Sequence, residues 1–418
     1  MVAGVVLVAL LHEGQVLVVD GRLPEVEVDE DADDRFPTAL ERVGADVYLA
    51  PVLRLGVDRF LDVVGCRSLP VPHGTWVAPA DLADTEVAEL LGRTLREREE
   101  PPPLRPPWFL PGWYDEVETW VDEQLSRAGR PRTGVMVVHR VWSISAVLRV
   151  PTGSGVLWFK APCDLFGREA AIHRVLARHF PDDVPVLVAA DEERGWTLME
   201  AMRGAGESDR SPGAAAALAT RWAEVQLASL DVVDELREAG GLVRDAAATL
   251  AALHRVLSGS PELGSLDPDE LAAVRAVVGR VEDLVRELWD CGLPDTLCHG
   301  DLHLGNVAYD GHELRVFDLT DCCIGHPLLD GCHLAHFDEG RPADDDLFAA
   351  FARPWREAFP EARIDRAAAL APVVDLVFQL DVFDRIAAAT EPASAYELGG
   401  VVAWLLKRLP GAVAGLER

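Results

Sequence analysis

The stretch Cys298-His299-Gly300-Asp301-Leu302-His303-Leu304-Gly305-Asn306-Val307, with Leu314-Arg315-Val316-Phe317-Asp318 downstream, decides how this 418-residue chain is read. Asp301 is followed five residues later by Asn306 and twelve further on by Asp318, which ends an apolar run. Gly300 and Gly305 argue against a regular helix and predict an irregular loop. The set offers one carboxylate able to act as a base toward a hydroxyl, and two hard oxygen ligands. Mg²⁺ takes oxygen donors, keeps several waters, and is commonly held by one or two side chains plus substrate phosphates. In phosphoryl transfer the protein contributes mainly position and charge neutralisation, with an Asp engaging the attacking hydroxyl.

These residues resemble the catalytic loop of the aminoglycoside phosphotransferase and choline-kinase-like group, relatives of protein kinases. That loop reads H-G-D-x-H-x-x-N and is followed by an apolar strand ending in a metal-binding Asp. The chain matches at His299, Gly300, Asp301, His303, Asn306 and Asp318. Further on, Gly325-His326-Pro327-Leu328-Leu329-Asp330 is similar to the group's G-D-P-x-x-D-L segment, with His326 for the usual Asp and Gly331 for Leu. The resemblance covers about residues 110–418. It implies an α+β, bilobal protein-kinase-like fold with a small β-rich N-lobe and a helical C-lobe. It also implies a small-molecule kinase moving the γ-phosphoryl group of Mg-ATP or Mg-GTP to a substrate hydroxyl. On that carry-over Asp301 is the catalytic base, Asn306 and Asp318 hold Mg²⁺, and His299, His303 and Asp330 support the loop. The alternative is a nucleotide-binding pseudokinase or scaffold, against which the loop retains every chemical group.

An N-lobe of this kind needs a strand lysine to grip nucleotide phosphates and a helix glutamate to hold it. The chain has only two lysines, Lys160 and Lys407; every other basic residue is Arg. With abundant Ala, Gly, Pro, Val and Leu, this suggests a GC-rich bacterial coding sequence, in which a surviving lysine is needed as a lysine. Lys160 ends the run Val156-Leu157-Trp158-Phe159-Lys160, and Glu169 follows nine residues later in an expected helix. Ser143 and Ser145, in Trp142-Ser143-Ile144-Ser145, stand where the phosphate-covering hairpin belongs. Glu200 and Met202, in Leu198-Met199-Glu200-Ala201-Met202, stand at the expected hinge.

Other chemistries compete for the same residues. His299, His303, His333 and His336 could ligate zinc with Cys298, Cys322, Cys323 or Cys332 nearby, although the loop glycines remove the helical i, i+4 logic behind such a site. Asp321 could touch metal or substrate, or cap a helix. Asp375, Asp381 and Asp384 fall on a late helix, where the resemblance places the substrate pocket; Asp381 and Asp384 share a face and could receive amines, or simply face water. The acidic run 338–340 and Asp344-Asp345-Asp346 are expected as loop and N-cap.

Lys+Arg total 39 against Asp+Glu 70, a net charge of −31, which repels nucleic-acid phosphates and anionic lipid and leaves cationic small molecules as compatible acceptors. No apolar run approaches a membrane span, and seven scattered cysteines fit a reducing cytoplasm. The Pro-rich stretch 98–112 is expected to be a stiff linker. Before it, residues 1–97 predict a small α+β accessory domain: a hairpin over 5–11 and 15–19, an acidic loop 25–34, apolar runs 39–43 and 47–55, and a helix over 81–98. Leu23-Pro24, the acidic stretch and Trp76 give this unit a faint resemblance to a Nudix domain, implying a catalytically degenerate one, since the window 39–44 holds one carboxylate, Glu41. After the linker, a helix is expected from Trp113 to about 128, strands over 135–141, 146–150, 156–160, 184–190 and 196–202, and helices over 168–179, 213–229, 242–258 and 267–290. The lobes are then 113–202, with the hinge near 198–202, and 203–418, with the catalytic loop at 298–306.

Overall fold

The computed structural model describes residues 4–28, 47–54, 59–66, 74–204, 212–336, 344–395 and 397–416. The expected run 39–43, the acidic loop beyond Val28 and the acidic stretch 338–340 lie outside them. The chain divides into two compact units, Met1–Cys163 with Ala389–Glu397, and Asp164–Ala388 with Leu398–Arg418.

In the first unit, β1 (Gly4–His12) and β2 (Gln15–Val18) form the expected hairpin, with Glu13 and Gly14 both at positive φ in the turn. β1 also pairs with β3 (Glu25–Val28) and runs parallel to β5 (Arg59–Cys66). β4 (Val47–Arg54) joins β5, and β6 (Thr75–Val77) joins β2. Helix α1 (Thr85–Glu99) starts where Asp84 accepts the Glu86 and Val87 N–H groups. Its buried Val87 and Leu91 pack on Leu7, Ala9, Leu11, Val16 and Val18.

The Pro-rich stretch is not a spacer. Arg105 is buried and its guanidinium meets Glu97 at 2.6 Å and Glu391 at 2.7 Å, while a 3-10 turn, Pro107–Phe109, buries Trp108 and Phe109. Prolines exclude helix and central strand but not burial, and the aromatic pair after them supplies apolar surface to bury. Helix α2 (Trp113–Arg127) follows, then the antiparallel strands β7 (Val137–Val141), β8 (Ser145–Thr152) and β9 (Gly155–Pro162). The Trp113 and Trp120 rings pack edge-on against Phe159 of β9.

The second unit opens with α3 (Glu169–His179) and the hairpin β10 (Leu187–Asp191)–β11 (Trp196–Glu200). Then come α4 (Pro212–Ser229), α5 (Val233–Glu238), β12 (Leu242–Arg244), α6 (Ala246–Gly259) and α7 (Pro268–Trp289), the last opened by an Asp267/Glu270 capping box. The helix expected over 242–258 begins late because Asp245 is its cap, accepting from Ala248 N, which frees residues 242–244 to form a strand. β13 (Thr296–Cys298), the hairpin β14 (Val307–Tyr309)–β15 (Leu314–Val316) and β16 (Cys323–Gly325) come next; β16 lies between β12 and β13. The remainder is helical: α8 (Leu328–His336), α9 (Asp345–Ala358), α10 (Ile364–Ala389) and α11 (Val401–Leu416). Gly331 of α8 makes room for α9, since a Cβ there would lie 2.5 Å from the Phe351 ring. No helix among the described residues is long and apolar enough to cross a membrane.

Candidate active site

The loop 299–306 leaves β13 and is pinned from beneath by Asp330 of α8. Asp330 Oδ2 accepts from His299 N at 2.7 Å, Trp222 Nε1 at 2.8 Å and Gln226 Nε2 at 3.0 Å, and Oδ1 accepts from Gly300 N at 3.0 Å. Burial pushes this carboxyl upward, and the donors around it oppose that by favouring the ionised form. Gly300 has φ +85, and a Cβ would meet Asp321 O at 2.5 Å, so the chain turns here on glycine alone. His299 is fully buried, with Nδ1 accepting from Asp301 N at 3.3 Å and Nε2 facing Phe317 O at 3.0 Å. Both ring nitrogens are occupied by backbone, and burial pushes its pKa down, so it is a neutral brace with no lone pair left for a metal.

Asp301 stands on this platform with its side chain 36% exposed. Asn306 Nδ2 donates to Asp301 O at 3.0 Å and to Oδ2 at 3.1 Å. His303 Nε2 lies 3.4 Å from Oδ2, its ring fixed by Gly305 N on Nδ1 at 3.0 Å. His333 Nε2, from α8, lies 3.2 Å from Oδ1. Burial works to raise the Asp301 carboxyl, but the two imidazoles hold it well below the usual carboxylate range. The far side of the His333 ring faces α10: Nδ1 is 3.5 Å from Asp375 Oδ2, and Gln379 Nε2 beside it donates to Gly300 O at 2.9 Å. Burial disfavours the charged imidazole, yet Asp301 and Asp375 together push His333 up to about 10. His333 therefore bridges two carboxylates as a cation. In the sequence it stood only among the candidate zinc ligands; its partners lie 32 and 42 residues away and no local pattern links them.

The β14–β15 register pairs Val307 with Val316 and, with Phe317 N donating to Asn306 O at 2.9 Å, sets Asn306 and Asp318 at the same end of one hairpin. Asp318 is left-handed, φ 62 and ψ 67, with Oδ1 accepting from Thr320 Oγ1 at 2.8 Å. Glu169, the first residue of α3, is buried and its Oε1 accepts from Leu319 N at 3.1 Å, anchoring the chain just past Asp318. Asp321 is pushed up to about 7, first by burial and then by the Asp301 and Asp318 carboxylates.

Lys160 is buried on β9, opposite Val147 of β8. Ser145 Oγ accepts from Trp142 Nε1 at 2.7 Å, and Ser143 N donates to Glu397 Oε2 at 2.7 Å. Glu200 ends β11, its N–H donating to Val186 O, and Met202 follows two residues on. Asp381 and Asp384 need correction. Both are buried and already met by arginines: Asp381 by Arg255 at 2.6 Å, Arg385 at 2.9 Å and Arg244 at 3.5 Å, and Asp384 by Arg255 at 3.2 Å. Carboxylates so paired neither face water nor wait for amines, and two of the three partners, Arg244 and Arg255, were invisible in sequence because they lie more than a hundred residues upstream.

Beside His333 lies a cavity of about 1020 Å³ between α8, α10 and α11. Among the described residues no group of three or more His, Cys, Asp or Glu side chains is placed to hold a metal by itself.

The model of the phosphotransferase enzyme family matches residues 137–370. No curated protein matches the chain. Among solved structures, it is similar to macrolide 2'-phosphotransferase MphH from Brachybacterium faecium, at 17% identity and TM-score 0.46, covering 68% of this chain and 97% of that one. It is also similar to a choline/ethanolamine kinase family protein from Mesorhizobium loti, at 17% identity and TM-score 0.46, covering 72% and 98%. A third, the gentamicin complex of APH(2")-IIa, shares 15% identity at TM-score 0.49, covering 72% and 95%. With a family match that runs through the whole loop 299–306 and spans more than half of the chain, the chain belongs to the phosphotransferase enzyme family.

Proposed function

We propose that the protein transfers the γ-phosphoryl group of a magnesium-bound nucleoside triphosphate, ATP or GTP, to the hydroxyl of a small molecule, with Asp301 as the base. The observation that carries this reading is the setting of Asp301: ionised, part exposed, and held on both oxygens by His303, His333 and Asn306. The acceptor oxygen attacks the γ-phosphorus, the bond from that phosphorus to the β–γ bridging oxygen breaks, and the nucleoside diphosphate leaves. Asp301 orients the hydroxyl and takes up its proton, while the flanking imidazoles keep the carboxylate ionised until then.

The residues present fit magnesium. Asn306 directs its amide hydrogens to Asp301, which leaves Oδ1 as its remaining polar atom, and Asp318 adds a carboxylate. One amide oxygen and one carboxylate are too few for a cage of protein ligands, and they suit a cation whose other positions go to phosphates and water. Burial first and then the Asp301 and Asp318 carboxylates push Asp321 upward, and the charge gathered at these three residues is what a divalent cation would relieve. When bound, Mg²⁺ supplies charge neutralisation on the phosphates. We assign Lys160 to the nucleotide phosphates, with Glu169 as its family counterpart, Ser143 and Ser145 to the phosphate-covering turn, and Glu200 and Met202 to the purine edge. The free thiols of Cys163, Cys291, Cys298, Cys322, Cys323 and Cys332 favour a reducing cytoplasm.

The test is Asp301→Asn, which keeps the hydrogen bond from Asn306 and removes the base. Turnover should fall about 10²–10⁴-fold with nucleotide affinity nearly unchanged. Retention of wild-type transfer by this variant overturns the assignment. A pseudokinase would instead bind nucleotide and show no Asp301-dependent turnover.

A further inference from the structure

The cavity beside His333 is physically unlike a site for polyamines. Its wall is mostly apolar, with Leu376 and Phe383 from α10 and Val401, Trp404 and Leu405 from α11. Trp404 is 41% exposed and lies on the cavity wall. Among the described lining residues there is one carboxylate, Asp375, and it faces the His333 ring. Against it stand two cations on α11. Lys407 is paired with Glu270 at 3.0 Å, whereas the Arg408 guanidinium lies over the Trp404 ring, 4.4 Å from its centroid, with no carboxylate within ion-pair distance among the described residues. Among the described lining residues Asp375 is met by His333 and Lys407 by Glu270, which leaves Arg408 as the charge outside any ion pair. The polar end is formed by His333, Asp375 and Gln379, and His333 is also the residue that touches Asp301 Oδ1. A volume near 1020 Å³ suits a ligand of drug size.

The geometry points to an acceptor that is a predominantly apolar alcohol of drug size without net positive charge: its body lies against Phe383, Trp404 and Leu405 and its hydroxyl at the His333 end, and it is not a polycationic amino sugar. This rests on the phosphotransferase reading above. A polycation entering here would find one carboxylate already bridged by an imidazolium and an unpaired guanidinium on the wall.

The full-length protein with Mg-ATP is assayed against two panels, neutral polycyclic or macrocyclic alcohols and polyamino sugars, together with Trp404→Asp and Arg408→Glu. Both substitutions are at exposed positions, and thermal unfolding confirms their folding. The best neutral alcohol should exceed the best polyamino sugar at least 100-fold in kcat/KM. Trp404→Asp should raise its KM at least 10-fold with the KM for ATP unchanged, and Arg408→Glu should shift preference toward the amino sugars. Preference of the wild type for amino sugars, or an alcohol KM indifferent to Trp404→Asp, overturns the inference. Transfer to neither panel, with Asp301-dependent ATP hydrolysis intact, also overturns it while sparing the kinase reading. Loss of all Asp301-dependent nucleotide turnover in the wild type would instead strike at the kinase reading itself.

Discussion

His326 occupies the position where the family usually carries Asp, and it makes a measurable demand on stability. Its ring is completely buried, edge-on to Trp289 at 5.5 Å between centroids, and neither nitrogen has a hydrogen-bond partner among the described residues. Burial alone drives its pKa down to about 3. An unfolded histidine titrates near 6.5, so between those values the unfolded chain binds a proton that the folded chain refuses, and stability falls as the pH drops. From pH 7 to pH 5 this one group costs about 2 kcal/mol, a figure that hardly changes provided the folded value stays below about 4. The perturbation is His326→Leu, which removes the titration and both unpartnered polar atoms while nearly conserving volume. At pH 7 it should be close to neutral or stabilising. The assay is urea unfolding followed by far-UV circular dichroism at both pH values, for wild type and variant. The wild type should lose about 2 kcal/mol more than the variant between them, since every other titrating group cancels in the difference. Parallel losses would refute the reasoning, because the imidazole would then be neither isolated nor held neutral. A large destabilisation of the variant at pH 7 would show a partner for the ring nitrogens.

His333→Gln should move the acidic limb of kcat/KM upward by about one pH unit, because the cation that helps to keep Asp301 ionised is gone; a pH–rate profile reads this directly, and a uniform loss at every pH would argue for a purely structural role. Gly300→Ala should destabilise by at least about 2 kcal/mol, through the left-handed φ and the 2.5 Å approach to Asp321 O, and should abolish transfer, as measured by urea midpoint and turnover. Arg105→Met should cost about 3–5 kcal/mol by leaving Glu391 buried without its partner, and Arg105→Met with Glu391→Leu should recover most of it in thermal unfolding.

The loop 299–306 was legible because its chemistry is local: glycine where φ must be positive, and Asp, Asn and Asp at spacings that one loop and one hairpin bring together. The helix over 267–290 was legible for the same reason, its period and its Asp267/Glu270 cap being written within the segment. What stayed hidden depends on distant pairs. Arg255 neutralises Asp381 across 126 residues, His333 meets Asp375 across 42, and Arg105 finds Glu391 across 286, separations that no local pattern spans. The five prolines between Pro101 and Pro107 reported what the backbone could not become, and said nothing of the aromatic pair that buries it. The late start of α6 turned on a single residue, Asp245, whose side chain closes the helix one turn after the apolar pattern begins.

Asp318 sits at φ 62, where a side chain is tolerated well only if it is short and can bond locally, as this one does with Thr320. Glutamate would offer the same carboxylate on a longer arm but lacks that local compensation, so the main chain, rather than coordination chemistry, restricts the alphabet at this position. Glycine would relax the backbone and erase the ligand. The narrow choice between Asp and Asn is thus imposed by a torsion angle, and the donor's reach follows from it.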